Sequence, residues 1–183
     1  MGTLTGTRMT ADEFLAMEES DGYELVHGRP EEVPMGALSS WVGGELFFYL
    51  RSFLGQHPLG RVFPQETAVK AWPDDNSHFR KPDGMFVSNA RLIGIAPETL
   101  EAVPDLVFEV VSPTDEAQAL EKKLGEYFDA GVRLVWVIYP QTKTVHIYRP
   151  GGLAAYIGPG DVLSGEDVLP GFSVPVKDLF PSS

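Results

Sequence analysis

Residues 105–111, DLVFEVV, are apolar at every position except the first and Glu109. A short, almost wholly apolar run of this kind suits a strand buried on both faces of a sheet. That points to an α/β domain. It also leaves one carboxylate, Glu109, in the middle of an apolar strand, where a charge is costly unless it is paired or bound to a cation.

The rest of the chain supplies matching elements. Thr10 and Glu13 have the spacing of a capping box ahead of Phe14, Leu15 and Met17, so a short helix is expected to end before Gly22. Residues 23–33 suit a hairpin turning at His27-Gly28-Arg29-Pro30. Over residues 40–54, Trp41, Val42, Leu46, Phe47, Leu50, Phe53 and Leu54 recur at helical spacing, and Gly55 supplies a stop. Gly43 and Gly44 inside that helix cost about 1 kcal/mol each relative to Ala, which implies that another backbone packs closely there.

Residues 61–71 alternate loosely as one strand, 73–76 form a turn, and 82–88 form a short strand. Residues 120–130 predict a helix ended by Gly131, followed by a hairpin of 132–139 with 144–149. The Gly- and Pro-rich tail predicts short edge strands ending at Phe180. No repeat or linker divides the chain, so residues 1–183 are read as one domain with its core over about 10–180.

Charge narrows the functional classes. The net charge of −12 is the opposite of what binding to nucleic acid by counterion release favours, but it does not oppose a metal site. The absence of cysteine excludes disulfides and thiolate ligands. No run approaches the roughly 18 apolar residues of a membrane span, and the start MGTLTGTRMTADEF lacks a secretory pattern. The expectation is a cytoplasmic protein with no membrane partner.

Glu109 needs a partner, and either a neighbouring group or a metal would serve. Asp105 lies four residues earlier on the same strand, roughly 13 Å away, and cannot share an ion with it. Asp83 follows Pro82 at the start of another strand that could lie alongside; its alternative reading is a turn residue. On the helix after the Glu109 strand, Leu120, Leu124, Tyr127 and Phe128 define the buried stripe. Lys122 points away, while Lys123 sits at the margin, able either to snorkel or to lean inward over the sheet. An inward lysine would steady developing negative charge or orient a water.

Oxygen ligands of this kind suit Mg²⁺ or Mn²⁺, which could polarise a phosphodiester for in-line attack by hydroxide. The histidines at 27, 57, 78 and 146 show no ligand spacing, and HExxH, GxSxG, Walker A and GxGxxG patterns do not occur. Arg80 and Lys81 could touch a phosphate, although adjacent cations usually mark a wet surface.

YELVHGR, KPDGMFVS, PDLVFEVVSPTD, EKKLGEYFDAGVRLVWVIYP with TVHIYRP, and LPGFSVPVKDLF, in this order, resemble the Uma-type putative restriction endonucleases of the PD-(D/E)XK superfamily. The resemblance runs from about residue 10 to 180. It implies an α/β (α+β) restriction-endonuclease-like core, a mixed β-sheet flanked by helices with extra C-terminal hairpin strands. Asp83 matches the family's PD aspartate and Glu109 its (D/E)XK carboxylate, while Val111 stands where the usual lysine would be. The family carries a lysine on the next helix instead, here Lys123, with Tyr127 after it. Glu24 matches an early glutamate and is a further candidate metal ligand; Glu66 is a weaker candidate of the same kind. The chain departs from the family's usual residues at His27, Tyr139, Ser39-Ser40 and Gly84, the last replacing a β-branched residue.

The reading is therefore a Mg²⁺- or Mn²⁺-dependent endonuclease acting on DNA. Asp83 and Glu109 hold the ion, Glu24 assists, and Lys123 positions water. Glu66, Tyr127 and Arg80 are accessory candidates. A homodimer is expected because two strands need two sites. The alternatives are a non-catalytic binding or oligomerisation module on the same fold, and a metal-dependent hydrolase of a small phosphorylated substrate.

Overall fold

The computed structural model describes residues 9–17, 20–33, 36–92, 99–113 and 116–181. Its centre is a six-stranded sheet. In spatial order, the strands are β10 (Gly152–Ile157), β9 (Thr144–Arg149), β8 (Leu134–Tyr139), β7 (Leu106–Val110), β5 (Gly84–Ser88) and β3 (Gly60–Pro64). The β7 and β8 strands run parallel, and every other neighbouring pair is antiparallel, so the sheet is mixed. The parallel pair is joined by helix α3 (Ala117–Ala130), since a parallel connection must cross over the sheet.

Alternation along the strands separates two cores. Leu106, Phe108 and Val110 of β7, with Trp136 and Ile138 of β8, face helix α2 (Ala37–Gln56) through Val42, Leu46, Leu50 and Leu54. Val107 of β7, with Val135 and Val137, faces α3 through Leu124 and Tyr127. Glu109 shares the parity of Val107, so its side chain goes to the α3 side. That simple consequence of the pleat places the site.

A smaller unit docks beside the sheet. Thr10 caps helix α1 (Ala11–Leu15), with its hydroxyl and the Glu13 carboxylate satisfying each other's backbone N–H groups. Phe14 of α1 packs against Leu25 and Phe79. Strands β1 (Tyr23–Val26) and β2 (Arg29–Glu32) form a hairpin turning at His27-Gly28, both at positive φ, with Pro30 inside β2 rather than in the turn. Phe79 donates its N–H to Leu25 O at 2.9 Å, which ties the hairpin to the segment entering β5.

Several expectations change. Residues 61–71 are not one strand: β3 ends at Pro64 and a separate short strand, β4 (Ala68–Val69), pairs in parallel with β6 (Thr99–Leu100). Glu66 between them has φ of 75°, a turn conformation that no strand allows. The glycines of α2 are not required by a close backbone. A methyl at Gly43 would meet Val110 Cγ2 at 3.8 Å, and one at Gly44 would meet nothing within 4 Å. The tail forms the edge strand β10 and a separate pair, β11 (Val162–Ser164) with β12 (Ser173–Pro175), ahead of a 3₁₀ turn at Val176–Leu179. No helix among the described residues is long and apolar enough to cross a membrane.

Candidate active site

Gly84 pairs with Phe108 across the antiparallel β5–β7 ladder, so one further step sets Asp83 opposite Glu109. Asp83 Oδ2 accepts the Val110 N–H at 2.6 Å, which fixes it against the strand that carries Glu109. The Phe108 ring, lying over this position, explains Gly84. A Cβ there would lie 2.1 Å from Phe108 Cζ, so no β-branched residue fits beside this phenylalanine.

Glu109 is 8% exposed and accepts the Tyr127 hydroxyl at 2.6 Å. Lys123, one helical turn before Tyr127, brings Nζ to 3.7 Å from Glu109 Oε1 and 3.2 Å from Glu24 Oε1. Of the two open readings of Lys123, the inward one describes the geometry. Lys122 stays at the surface, half exposed, with Glu31 and Glu126 each at 3.8 Å.

Glu24 enters from β1 and is 2% exposed. Its Oε1 accepts the Lys81 N–H at 2.9 Å and its Oε2 accepts from Arg80 Nη1 at 2.7 Å. Arg80 turns its other edge to Glu126 Oε2, with Nε at 2.8 Å and Nη2 at 2.6 Å. Arg80 and Lys81 are thus no wet surface. They are 1% and 6% exposed, and Arg80 is hydrogen-bonded to two carboxylates, with a third, Glu31, at 3.5 Å, rather than open to a phosphate. Glu66 is half exposed, lies 3.5 Å from Lys81 Nζ, and is not among the residues lining the cleft. Asp105 is spent elsewhere, accepting the Ser88 N–H at 2.8 Å with Arg91 at 3.3 Å.

The electrostatics follow from this wiring. Burial pushes the Glu109 carboxyl above its ordinary range, and the nearby Glu24 charge adds to that; Lys123 and the Tyr127 hydroxyl only partly counter it. Burial acts on Glu24 too, but the Lys123 and Arg80 cations and the Lys81 N–H outweigh it and hold its carboxyl below the ordinary value. Burial opposes the charge on Lys123, yet Glu109 and Glu24 raise its pKa overall. The result is one firmly ionised carboxylate and one that lacks sufficient positive charge.

These groups line a cavity of about 230 Å³. Among the described residues its acidic lining comprises Glu24, Glu31, Glu32, Asp83, Glu109 and Glu116, against the single cation Lys123. Hard oxygen donors, with Glu109 short of compensating charge, fit Mg²⁺ or Mn²⁺ better than a soft ion. Sequence reasoning missed Glu31, Glu32, Glu116 and the Glu126 clamp on Arg80. The only local signal was Glu126 standing four residues after Lys122.

The family model Uma2, described as putative restriction endonuclease, matches residues 11–177. A crystal structure of a putative nuclease belonging to DUF820 from Anabaena variabilis superposes with a TM-score of 0.75 at 22% identity, covering 93% of this chain and 97% of that one. At that identity the likeness speaks for the fold. No curated protein sequence matches the chain.

Proposed function

The chain belongs to the Uma2 family of putative restriction endonucleases, and from that premise we propose that it is a metal-dependent endonuclease hydrolysing DNA phosphodiester bonds. One observation supports this above the others: Asp83, Glu109 and Lys123, remote in sequence, line a single cleft with Glu24. Asp83, Glu109 and Glu24 would hold Mg²⁺ or Mn²⁺. When bound, such an ion supplies Lewis acidity toward the phosphodiester and lowers the pKa of a water. Lys123 stands where it can orient that water or meet charge on the scissile phosphate. Tyr127 and Arg80 are positioning residues, holding Glu109 and Glu24 respectively. Cutting both strands of a duplex would call for two copies of the chain, so a homodimer is part of the proposal, as is action in the cytoplasm.

A second reading, a non-catalytic binding module, draws on the scarcity of cations lining the cleft, where among the described residues only Lys123 stands with six acids. A Lys123 turned away from the carboxylates would also favour it, but Lys123 faces them.

The two readings part in a cleavage assay on plasmid and single-stranded DNA with Mg²⁺ or Mn²⁺. Wild type should cut, and Asp83→Ala and Glu109→Ala should not. Wild-type protein that neither cuts nor binds the ion by calorimetry would overturn the nuclease reading.

A further inference from the structure

The four histidines show no ligand spacing along the chain, yet the fold brings two of them to one aspartate. His27 at the hairpin turn, and Asp75 and His78 in the loop before β5, each present a ligand atom, and these atoms all lie within 4.8 Å of one another. His27 Nδ1 is 2.7 Å from Asp75 Oδ2, and the two imidazole rings are centred 4.7 Å apart. From this geometry we propose that His27, Asp75 and His78 form a second cation site, selective for a zinc-class divalent ion.

An ion pair between His27 and Asp75 would account for those two residues without a metal, but not for His78. That side chain is 1% exposed, and neither ring nitrogen has a hydrogen-bond partner among the described residues. Glu126 Oε2 lies 3.5 Å from Nε2 and is already held by Arg80. Buried polar nitrogens without partners are uncommon and cost about 1–3 kcal/mol each. A metal bond removes such a deficit at one nitrogen.

The remaining partners are arranged for ligation. Asp75 Oδ1 accepts from the Ser77 N–H at 2.9 Å and the Ser77 hydroxyl at 2.6 Å, which leaves Oδ2 facing His27. Trp72 meets the His78 ring edge-on at 4.2 Å and fixes its plane. Donors of a tetrahedral zinc site stand about 3.4 Å apart, given metal–ligand bonds of about 2.1 Å. The His27 side chain, 59% exposed, can swing to close the difference, and its open side leaves the fourth position to water. Two imidazoles and one carboxylate favour zinc-like ions over Mg²⁺, in contrast to the all-carboxylate cleft.

An ion here would pin the β1–β2 turn to the loop before β5. Glu24 lies three residues before His27 and Arg80 two after His78, so both ends of the buried Glu24–Arg80 pair would be braced. The proposal does not depend on the nuclease reading.

The test uses chelator-treated protein, with Zn²⁺ followed by calorimetry and Co²⁺ by visible absorption. His27→Asn keeps a residue suited to the positive-φ turn while removing an imidazole, so it folds. Expected are one Zn²⁺ equivalent in wild type, the absorption of a low-coordinate Co²⁺ complex, and a rise in Tm with zinc. His27→Asn should weaken zinc binding at least tenfold and abolish the Tm rise, whereas His57→Asn, which removes an exposed histidine outside the cluster, should leave both unchanged. Folded wild type that binds no zinc, zinc binding indifferent to His27→Asn, or zinc binding lost equally in His57→Asn would each overturn the proposal.

Discussion

The Tyr127 hydroxyl donates to Glu109 Oε1 at 2.6 Å inside the layer between α3 and the sheet. Both groups are buried, and burial drives the tyrosine pKa well above its ordinary value, so Tyr127 remains a neutral donor at any physiological pH. The bond aims the glutamate from behind and leaves its charge available to the cleft.

Tyr127→Phe should therefore separate holding Glu109 in place from the rest of the site. The ring packing survives, but a buried carboxylate loses its donor, at a cost of about 1–3 kcal/mol in stability. Outer partners of metal ligands typically carry about 10–100-fold in metal affinity. Urea unfolding and Mn²⁺ titration of the variant check both figures. Unchanged Mn²⁺ affinity would remove Tyr127 from any positioning role.

Arg80 is a buried cation between two carboxylates, with Glu24 and Glu126 on opposite edges of its guanidinium. Arg80→Ala takes the guanidinium from both acids, leaving Glu24 to the Lys81 N–H and Lys123, and Glu126 to the distant Lys122. Breaking a buried pair in this way costs about 3–5 kcal/mol. Arg80→Lys should rescue little, because an ammonium cannot reach both acids with the planar fork of arginine. Thermal unfolding of the two variants, read against wild type, tests this. A stability loss confined to the Ala variant would show that only the charge matters.

How much of this could be read beforehand differs by residue. The β7 strand, α3 and the β8–β9 hairpin announce themselves through local apolar pattern, and Glu109 stands out because it violates that pattern. Lys123 was placed at the stripe's margin by helical geometry alone. The fate of Arg80 and Lys81 was invisible, since their partner Glu24 lies 56 and 57 residues away in the chain and no periodicity encodes such pairings. The His27–Asp75 contact, 48 residues apart, was hidden for the same reason. Splitting residues 61–71 into two strands of different sheets was equally illegible. Glu66 adopts its positive φ without the glycine or asparagine that usually marks such a turn.

Adjacent lysines on α3 offer a controlled comparison. Lys123→Met removes the only cation lining the cleft among the described residues, so cleavage should fall by about 10²–10³, the usual cost of losing one charge-stabilising group. Divalent-ion affinity should not fall with it, because Lys123 competes with the ion for Glu24 and Glu109. Lys122→Met should leave both unchanged, its half-exposed pairs at 3.8 Å contributing about 0–1 kcal/mol. Kinetics and calorimetry on both variants check this. A Lys123→Met protein that cuts normally would mean the lysine serves only to hold the carboxylates.

Two glycines predict opposite outcomes for the same substitution. Gly44 lies on the exposed side of α2 with open space around its missing side chain, so Gly44→Ala should stabilise the fold by about 0.5–1 kcal/mol. Gly84→Ala instead drives a methyl to 2.1 Å from the Phe108 ring in the packed core, and overpacking there costs about 1–3 kcal/mol. Phe108→Leu shortens the obstructing side chain, so the double variant should be more stable than the sum of its single losses predicts. A double-mutant cycle in urea measures that coupling directly. Additive losses would mean that the Phe108 ring is not what excludes a side chain at position 84.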